Sequence, residues 1–108
     1  MSTTTDPTQK KAEVTRALAR AGYDDVLMID RDTASTVLTT KRRELLEHIR
    51  EGEIESVRQL ATAVGRDKAA VSRDLKTLFT YDLIDYREEG SRKVPELKHE
   101  TVIVEPIV

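Results

Sequence analysis

Val57-Arg-Gln-Leu-Ala-Thr-Ala-Val-Gly-Arg-Asp-Lys-Ala-Ala-Val-Ser-Arg-Asp-Leu-Lys-Thr-Leu78 is the stretch that decides the fold. Val57, Leu60, Ala61 and Val64 recur at i, i+3, i+4 and i+7, the spacing of one helix face. Gly65 ends that run, and Asp67 opens a second helix whose Ala70, Val71, Leu75 and Leu78 turn inward. Ala61 is small where the first helix passes close to the second. Gly65, four residues later, supplies the left-handed backbone that a tight turn needs. Val71, six further on, points into the seam between the helices. Two helices joined at a steep angle by a three- to four-residue turn require this Ala-x3-Gly-x5-Val spacing.

Outward from this core, Lys41–Arg50 reads as a preceding helix. Thr39 or Thr40 caps it, Gly52 stops it, and Leu45, Leu46 and Ile49 form its buried face. Ile54 between two glutamates reads as a very short strand, and Ser56 as the cap of the next helix. After Leu78 the pattern changes to β. Leu83–Arg87 is a strand, Glu88–Ser91 a turn, and Arg92–Val94 the return, which Pro95 makes an edge. Helix, short strand, helix, turn, helix and hairpin is the winged helix-turn-helix order.

Three segments surround this unit. Residues 1–8 read as a disordered Thr-rich leader. A helix from Thr8 to Ala21 carries a narrow stripe of Val14, Ala17, Leu18 and Ala21. Val26–Ile29 is a short strand, and Asp32 or Thr33 is a cap for a helical turn through Val37 and Leu38. Thr101–Val104 is a second strong β segment. The expected architecture is α+β and mostly helical: a winged helix-turn-helix domain over 40–97, a short N-terminal helical arm over 9–39, and a C-terminal strand over 98–108. The arm and the end strand hold more apolar surface than a minimal winged helix uses, so they are the expected dimer surfaces, with a cover for the monomer core as the alternative.

Composition narrows the function. The 108 residues contain no cysteine, which excludes disulfides, a thiolate zinc site and a cysteine nucleophile, and which fits the cytoplasm. The longest apolar run, Val26–Ile29, is far short of the roughly 20 residues that cross a bilayer. His48 and His99 have no partner at metal-ligand spacing, the acidic clusters lack the pattern of a calcium loop, and the four glycines are isolated. No cofactor, metal or enzymatic chemistry is expected. There are 18 Lys plus Arg against 20 Asp plus Glu, a net charge of −2 that by itself argues against nucleic acid. Its distribution argues otherwise, because residues 57–80 hold five basic residues and only two acidic ones. Lys41, Arg42 and Arg43 place positive charge at a helix N-terminus, against the macrodipole, where a phosphate would turn a cost into a gain. Solvated side chains, or pairs with Glu44 and Glu47, are the alternative.

Ser56–Ala61, Ala70–Leu78, Leu83-Ile84 and Glu89–Arg92 resemble the winged-helix transcriptional regulators of the MarR/ArsR-like group, above all short regulators of archaea and bacteria, over about Thr40 to Leu97. The resemblance implies a sequence-specific, double-stranded-DNA-binding homodimer that reads two half-sites about 10 bp apart. The helix over 67–78 enters the major groove. Its outward residues are Lys68, Ala69, Ser72, Arg73 and Lys76: Ser72 and Arg73 for bases or adjacent phosphates, Lys68 and Lys76 for phosphates. Ser56, Gln59 and Arg66 are backbone contacts, and Arg92 and Lys93 place the wing on flanking DNA. Asp74 turns away from phosphates or pairs with Arg73 or Lys76. Only one short helix precedes the motif and cysteines are missing, so neither a ligand-sensing arm nor thiolate metal sensing is expected. An autorepressor, or an antitoxin with a toxin partner, fits this size. The alternative is a winged-helix protein-interaction module of a transcription assembly that does not touch DNA.

Overall fold

A computed structural model describes residues 7–23 and 25–104 of the chain. Its elements in order are α1 (Pro7–Arg20), β1 (Val26–Ile29), α2 (Arg31–Val37), α3 (Thr40–Arg50), α4 (Val57–Val64), α5 (Lys68–Thr80), β2 (Ile84–Glu89), β3 (Arg92–Leu97) and β4 (Thr101–Val104). Helix α1 starts at Pro7, so the expected leader is shorter than 1–8; proline suits the first turn of a helix, where its missing N–H costs nothing. The rest of that leader and residues 105–108 of the expected C-terminal strand lie outside the described residues.

Side-chain caps set most of the helix starts. Thr39, Ser56 and Asp67 accept hydrogen bonds from the N–H groups of Arg42, Gln59 and Ala69. The expectation fails at α2, whose cap is Asp30, not Asp32 or Thr33: the Asp30 carboxylate accepts from Thr33 N at 2.7 Å, which places Asp32 inside the first turn. At the other end of α4, Gly65 has φ +67°. There the Arg66 N–H donates to Ala61 O at 3.0 Å and the Gly65 N–H to Thr62 O at 3.1 Å, the paired closure that ends a helix with one left-handed residue. Helix α5 ends the same way without a glycine. Asp82 takes φ +64°, and the Leu83 N–H donates to Leu78 O at 2.9 Å. Aspartate tolerates this conformation better than most residues, and Lys98 Nζ fastens its carboxylate at 3.0 Å. That hydrogen bond holds the Lys98 ammonium above its ordinary pKa.

The apolar faces of α3, α4 and α5 meet in one core. Leu45, Leu60, Val71, Leu75 and Leu78 are completely buried, and Val37, Leu83 and Ile84 close its sides. Strands β2 and β3 pair antiparallel from Ile84↔Leu97 to Glu89↔Arg92, so the turn is only Gly90-Ser91. Glu88 and Glu89, expected in the turn, are therefore strand residues. Ile54 also departs from expectation. It packs half-buried against the core but forms no strand, because the Glu55 N–H is taken by the Gln59 side chain at 2.5 Å instead of a ladder.

The segments around the winged unit pair with each other. Strands β1 and β4 are parallel, with Leu27 opposite Val102. Leu27 and Val102 pack on the core, while Met28 on the other face receives a hydrogen bond from Thr15 Oγ1 of α1 at 3.2 Å. The pair thus lies between the core and α1, as parallel strands covered on both faces do. The His99 Nδ1 lies 2.8 Å from the Asp25 carboxylate and fastens the mouth of this pair.

Gly65→Ala tests the α4 closure. A Cβ there meets nothing within 4 Å, so only the left-handed backbone opposes it. The expected loss is about 1–2 kcal/mol by chemical denaturation with an unchanged circular dichroism spectrum.

Candidate nucleic-acid interface

The residues that could touch DNA divide into two sets according to Asp74. This carboxylate, on the flank of α5, accepts from Arg42 Nε at 3.1 Å and from Arg66 Nη2 at 2.6 Å. All three side chains keep only about a fifth of their exposure. Arg42 also donates through Nη1 to Thr36 O at 3.1 Å and Val37 O at 3.4 Å, the last carbonyls of α2. Arg42 and Arg66 therefore work inside the fold as a clip joining α2, α3, α5 and the α4–α5 turn, not as free phosphate ligands. Asp74 pairs with neither Arg73 nor Lys76, and the reason is angular. Position 74 lies about 100° from each of its neighbours around a helix, on the flank between core and solvent. Arg73 and Lys76 lie well outside that flank.

The second set is exposed. Lys68, Ala69, Ser72, Arg73 and Lys76 all face solvent along α5. No ion pair engages Lys68, Arg73 or Lys76 among the described residues. Of the two acids nearby, Asp74 is held by two arginines, and Asp67 caps the start of α5, behind the outward-facing Ser72, Arg73 and Lys76.

Lys68 and Ser72 continue into a cleft of about 510 Å³, whose other walls are Ser56, Val57 and Arg58 at the start of α4 and Ser91, Arg92 and Lys93 at the tip of the wing. Four basic side chains and three hydroxyls thus converge on one concavity next to the N-terminus of α4, an arrangement suited to a phosphodiester backbone. The structure brings together Ser56, Lys68, Ser72, Arg92 and Lys93 from the residues expected at the site. Ala69, Arg73 and Lys76 line the adjoining face of α5. Gln59 is exposed, but its side-chain oxygen belongs to the α4 cap. Lys41 and Arg43 are exposed on α3 and are not among the residues lining the cleft.

Two lining residues, Arg58 and Ser91, escape the sequence reading. Arg58 is the second residue after the Ser56 cap, which alone signals a side chain near a helix N-terminus. Ser91 is found only once the turn is known to be two residues long. At the base of the wing, Phe79 stacks obliquely on Tyr86 with ring centroids 5.3 Å apart, and burial pushes the Tyr86 hydroxyl up in pKa. Arg87 draws Glu89 and Glu96 to itself at 3.1 and 3.2 Å, on wing residues that do not line the cleft.

The winged helix-turn-helix fold is shared with known proteins. A family model described as HVO_A0114 matches residues 37–104, well over half of the chain. The chain belongs to the HVO_A0114 family. The HVO_A0114 match runs from the end of α2 through β4, so it takes in the clip, the cleft, the wing and the second strand of the parallel pair. No protein of curated function matches the sequence. Among solved structures, a predicted DNA-binding transcriptional regulator from E. coli superposes with a TM-score of 0.57 at 22% identity, over 88% of this chain and 86% of that one. The homodimeric winged helix-turn-helix DNA-binding domain of Mb0332 from Mycobacterium bovis, described as a possible ArsR-family regulator, gives 0.56 at 22% identity over 91% and 76%. A MarR-family regulator from Silicibacter pomeroyi gives 0.51 at 20% identity over 80% of this chain and half of that one. At these identities the likeness establishes the fold.

Asp74→Ala leaves two arginines facing each other with a fifth of their exposure. It is expected to cost about 2–3 kcal/mol, less than the roughly 3–5 of a fully buried pair. Thermal melting of the variant against the parent measures this.

Proposed function

We propose that this HVO_A0114 chain is a sequence-specific double-stranded-DNA-binding transcriptional regulator that acts as a homodimer. The observation that carries the reading is the basic surface running from the cleft between α4 and the wing onto the outer face of α5. An α-helix fits the major groove, and a helix entering by its N-terminal half presents Ala69, Ser72, Arg73 and Lys76 to base edges. Arg73 is the residue for a bidentate contact to guanine O6 and N7, with Ser72 beside it. Lys68, Ser56, Arg58 and the wing residues Arg92 and Lys93 hold the flanking phosphates. The exposed Lys41 and Arg43 remain further phosphate contacts, whereas Arg42 and Arg66 serve by fixing the angle at which α5 is presented.

The solved neighbours support the reading through what is known of them. The E. coli protein is described as a predicted DNA-binding transcriptional regulator, and the Mycobacterium bovis domain as a homodimeric winged helix-turn-helix DNA-binding domain. One winged unit reads a few base pairs, so two copies on two half-sites supply the affinity that an acidic body with a small basic face cannot supply alone. No helix among the described residues is long and apolar enough to cross a membrane. The reading extends to an autorepressor, for which the DNA upstream of its own gene is the first operator to try. An antitoxin role is the variant in which a toxin also binds.

Duplex binding followed across a salt series decides the matter. Each phosphate contact is expected to lower log K by about 0.9 per unit of log salt. Arg73→Ala is expected to cost roughly 1–3 kcal/mol and to relax preference at one base step, whereas Lys93→Ala should weaken all sequences alike and reduce the salt slope by about one. A protein that binds no duplex at any salt concentration would instead be the protein-interaction module.

A further inference from the structure

The two strands of the wing are anchored unequally. Strand β3 is held by the buried Val94 and Pro95 and by Leu97, which packs on the core. Strand β2 is held at its root by Ile84, but Asp85, Arg87, Glu88 and Glu89 are all exposed. Tyr86 alone among the outer residues of β2 is half-buried, and the ring it meets is Phe79 of α5, 5.3 Å away between centroids. Phe79 does little for the core. It is 45% exposed and stands beside, not among, the buried Val71, Leu75 and Leu78. Lys68, Ser72 and Phe79 recur at i, i+4 and i+11, so they share one flank of α5. That flank faces the wing twice. Toward the C-terminal end Phe79 touches Tyr86, and toward the N-terminal end Lys68 and Ser72 line the cleft with Ser91, Arg92 and Lys93. A two-stranded ribbon is the most variably twisted kind of sheet, so its own ladder leaves the roll of the wing loosely set. Tyr86 lies roughly 13 Å along the strand from the turn, which makes its contact the point about which the tip is aimed.

We infer that the Phe79–Tyr86 pair is a spacer that sets the width of the DNA-facing cleft. The paired rings hold β2 at a fixed distance from the flank of α5, and Arg92 and Lys93 at the wing tip thereby stand across from Lys68 and Ser72 with room for a phosphodiester strand between them. Aromatic rings suit this task because they are rigid and prefer a defined separation, which an aliphatic contact lacks. Neither ring lines the cleft, so both are positioning residues. This inference rests on the DNA reading above. It adds which contact decides where the phosphate ligands of the wing stand.

The chain has no cysteine, so Ser72→Cys with Ser91→Cys places one spin label on each wall of the cleft. Double electron–electron resonance on this full chain, without DNA, is expected to give one narrow distance distribution. Adding Phe79→Ala is expected to shift and broaden it, whereas Phe79→Tyr, which keeps the ring, should preserve it. Circular dichroism is expected to stay unchanged in both, because Phe79 lies outside the core. In the unlabelled chain, Phe79→Ala is expected to reduce the salt slope of duplex binding by about one to two, the share of Arg92 and Lys93. Its effect should also be non-additive with that of Lys93→Ala. An unchanged distance distribution in Phe79→Ala overturns the inference, and so does strict additivity of the two substitutions. Failure of the DNA reading is distinct, since it shows as absent duplex binding by the parent, whereas the label distances are read without DNA.

Discussion

The Asp74 carboxylate is the constraint on which the presentation of α5 depends. Burial of Leu45, Leu60, Val71, Leu75 and Leu78 drives the three helices together, but the hydrophobic effect is non-directional and leaves rotation of one helix against another loosely specified. Asp74 supplies direction. It fixes one flank of α5 against Arg42 from the first turn of α3 and against Arg66 from the turn that precedes α5. Arg42 extends the clip to the C-terminal carbonyls of α2, where the negative end of that helix favours a guanidinium. A basic residue at the start of α3 is unfavourable for α3 alone. Here a carboxylate and the carbonyl end of α2 offset that cost within the protein, with no need of an external anion.

The same clip explains how a chain of net charge −2 presents a positive face. Of the two acids between 57 and 80, one is spent on a cap and the other is enclosed between arginines. Lys68, Arg73 and Lys76 remain exposed, with no ion pair among the described residues. On the wing, Arg87 gathers Glu89 and Glu96. Glu88 lies opposite Lys93 in register and lowers the net charge of the wing. That distribution favours a surface whose attraction is local and short-ranged, within a Debye length of about 10 Å at ordinary salt, over one that pulls in any polyanion from a distance.

Much of this was legible in the sequence, because the decisive signals are local. The stripe of α4, the caps Thr39, Ser56 and Asp67, the left-handed turn at Gly65 and the hairpin after Leu83 each follow from residues within one or two turns of each other. The exposed face of α5 followed from the same periodicity. The parts that were not legible depend on partners distant in sequence. Arg42 reads as a free cation until Asp74, 32 residues away, is placed beside it. Ile54 has the alternating pattern of a strand, but the Gln59 side chain competes for its neighbour's amide. Asp30, Asp32 and Thr33 are all acceptable caps, and only the backbone chooses among them. Two apolar segments of four residues, Val26–Ile29 and Thr101–Val104, announce themselves as strands without naming their partners.

That pairing has consequences for the whole molecule. Strand β4 enters beside β1 only after the helices and the wing have intervened, so the winged unit is the crossover connection of a parallel pair. Closing so long a loop costs entropy that only late, non-local contacts repay. Those contacts are present: Leu27 and Val102 lie on the common core, His99 holds Asp25, and Asp25 accepts from the Thr101 N–H. Leu27 and Val102 pack on the same cluster that contains Leu75 of α5. The pair is thus a second anchor for the core from which α5 is presented. The outer edge of β4 is thus joined to the exposed face of α5 by that packed cluster and not by a flexible linker.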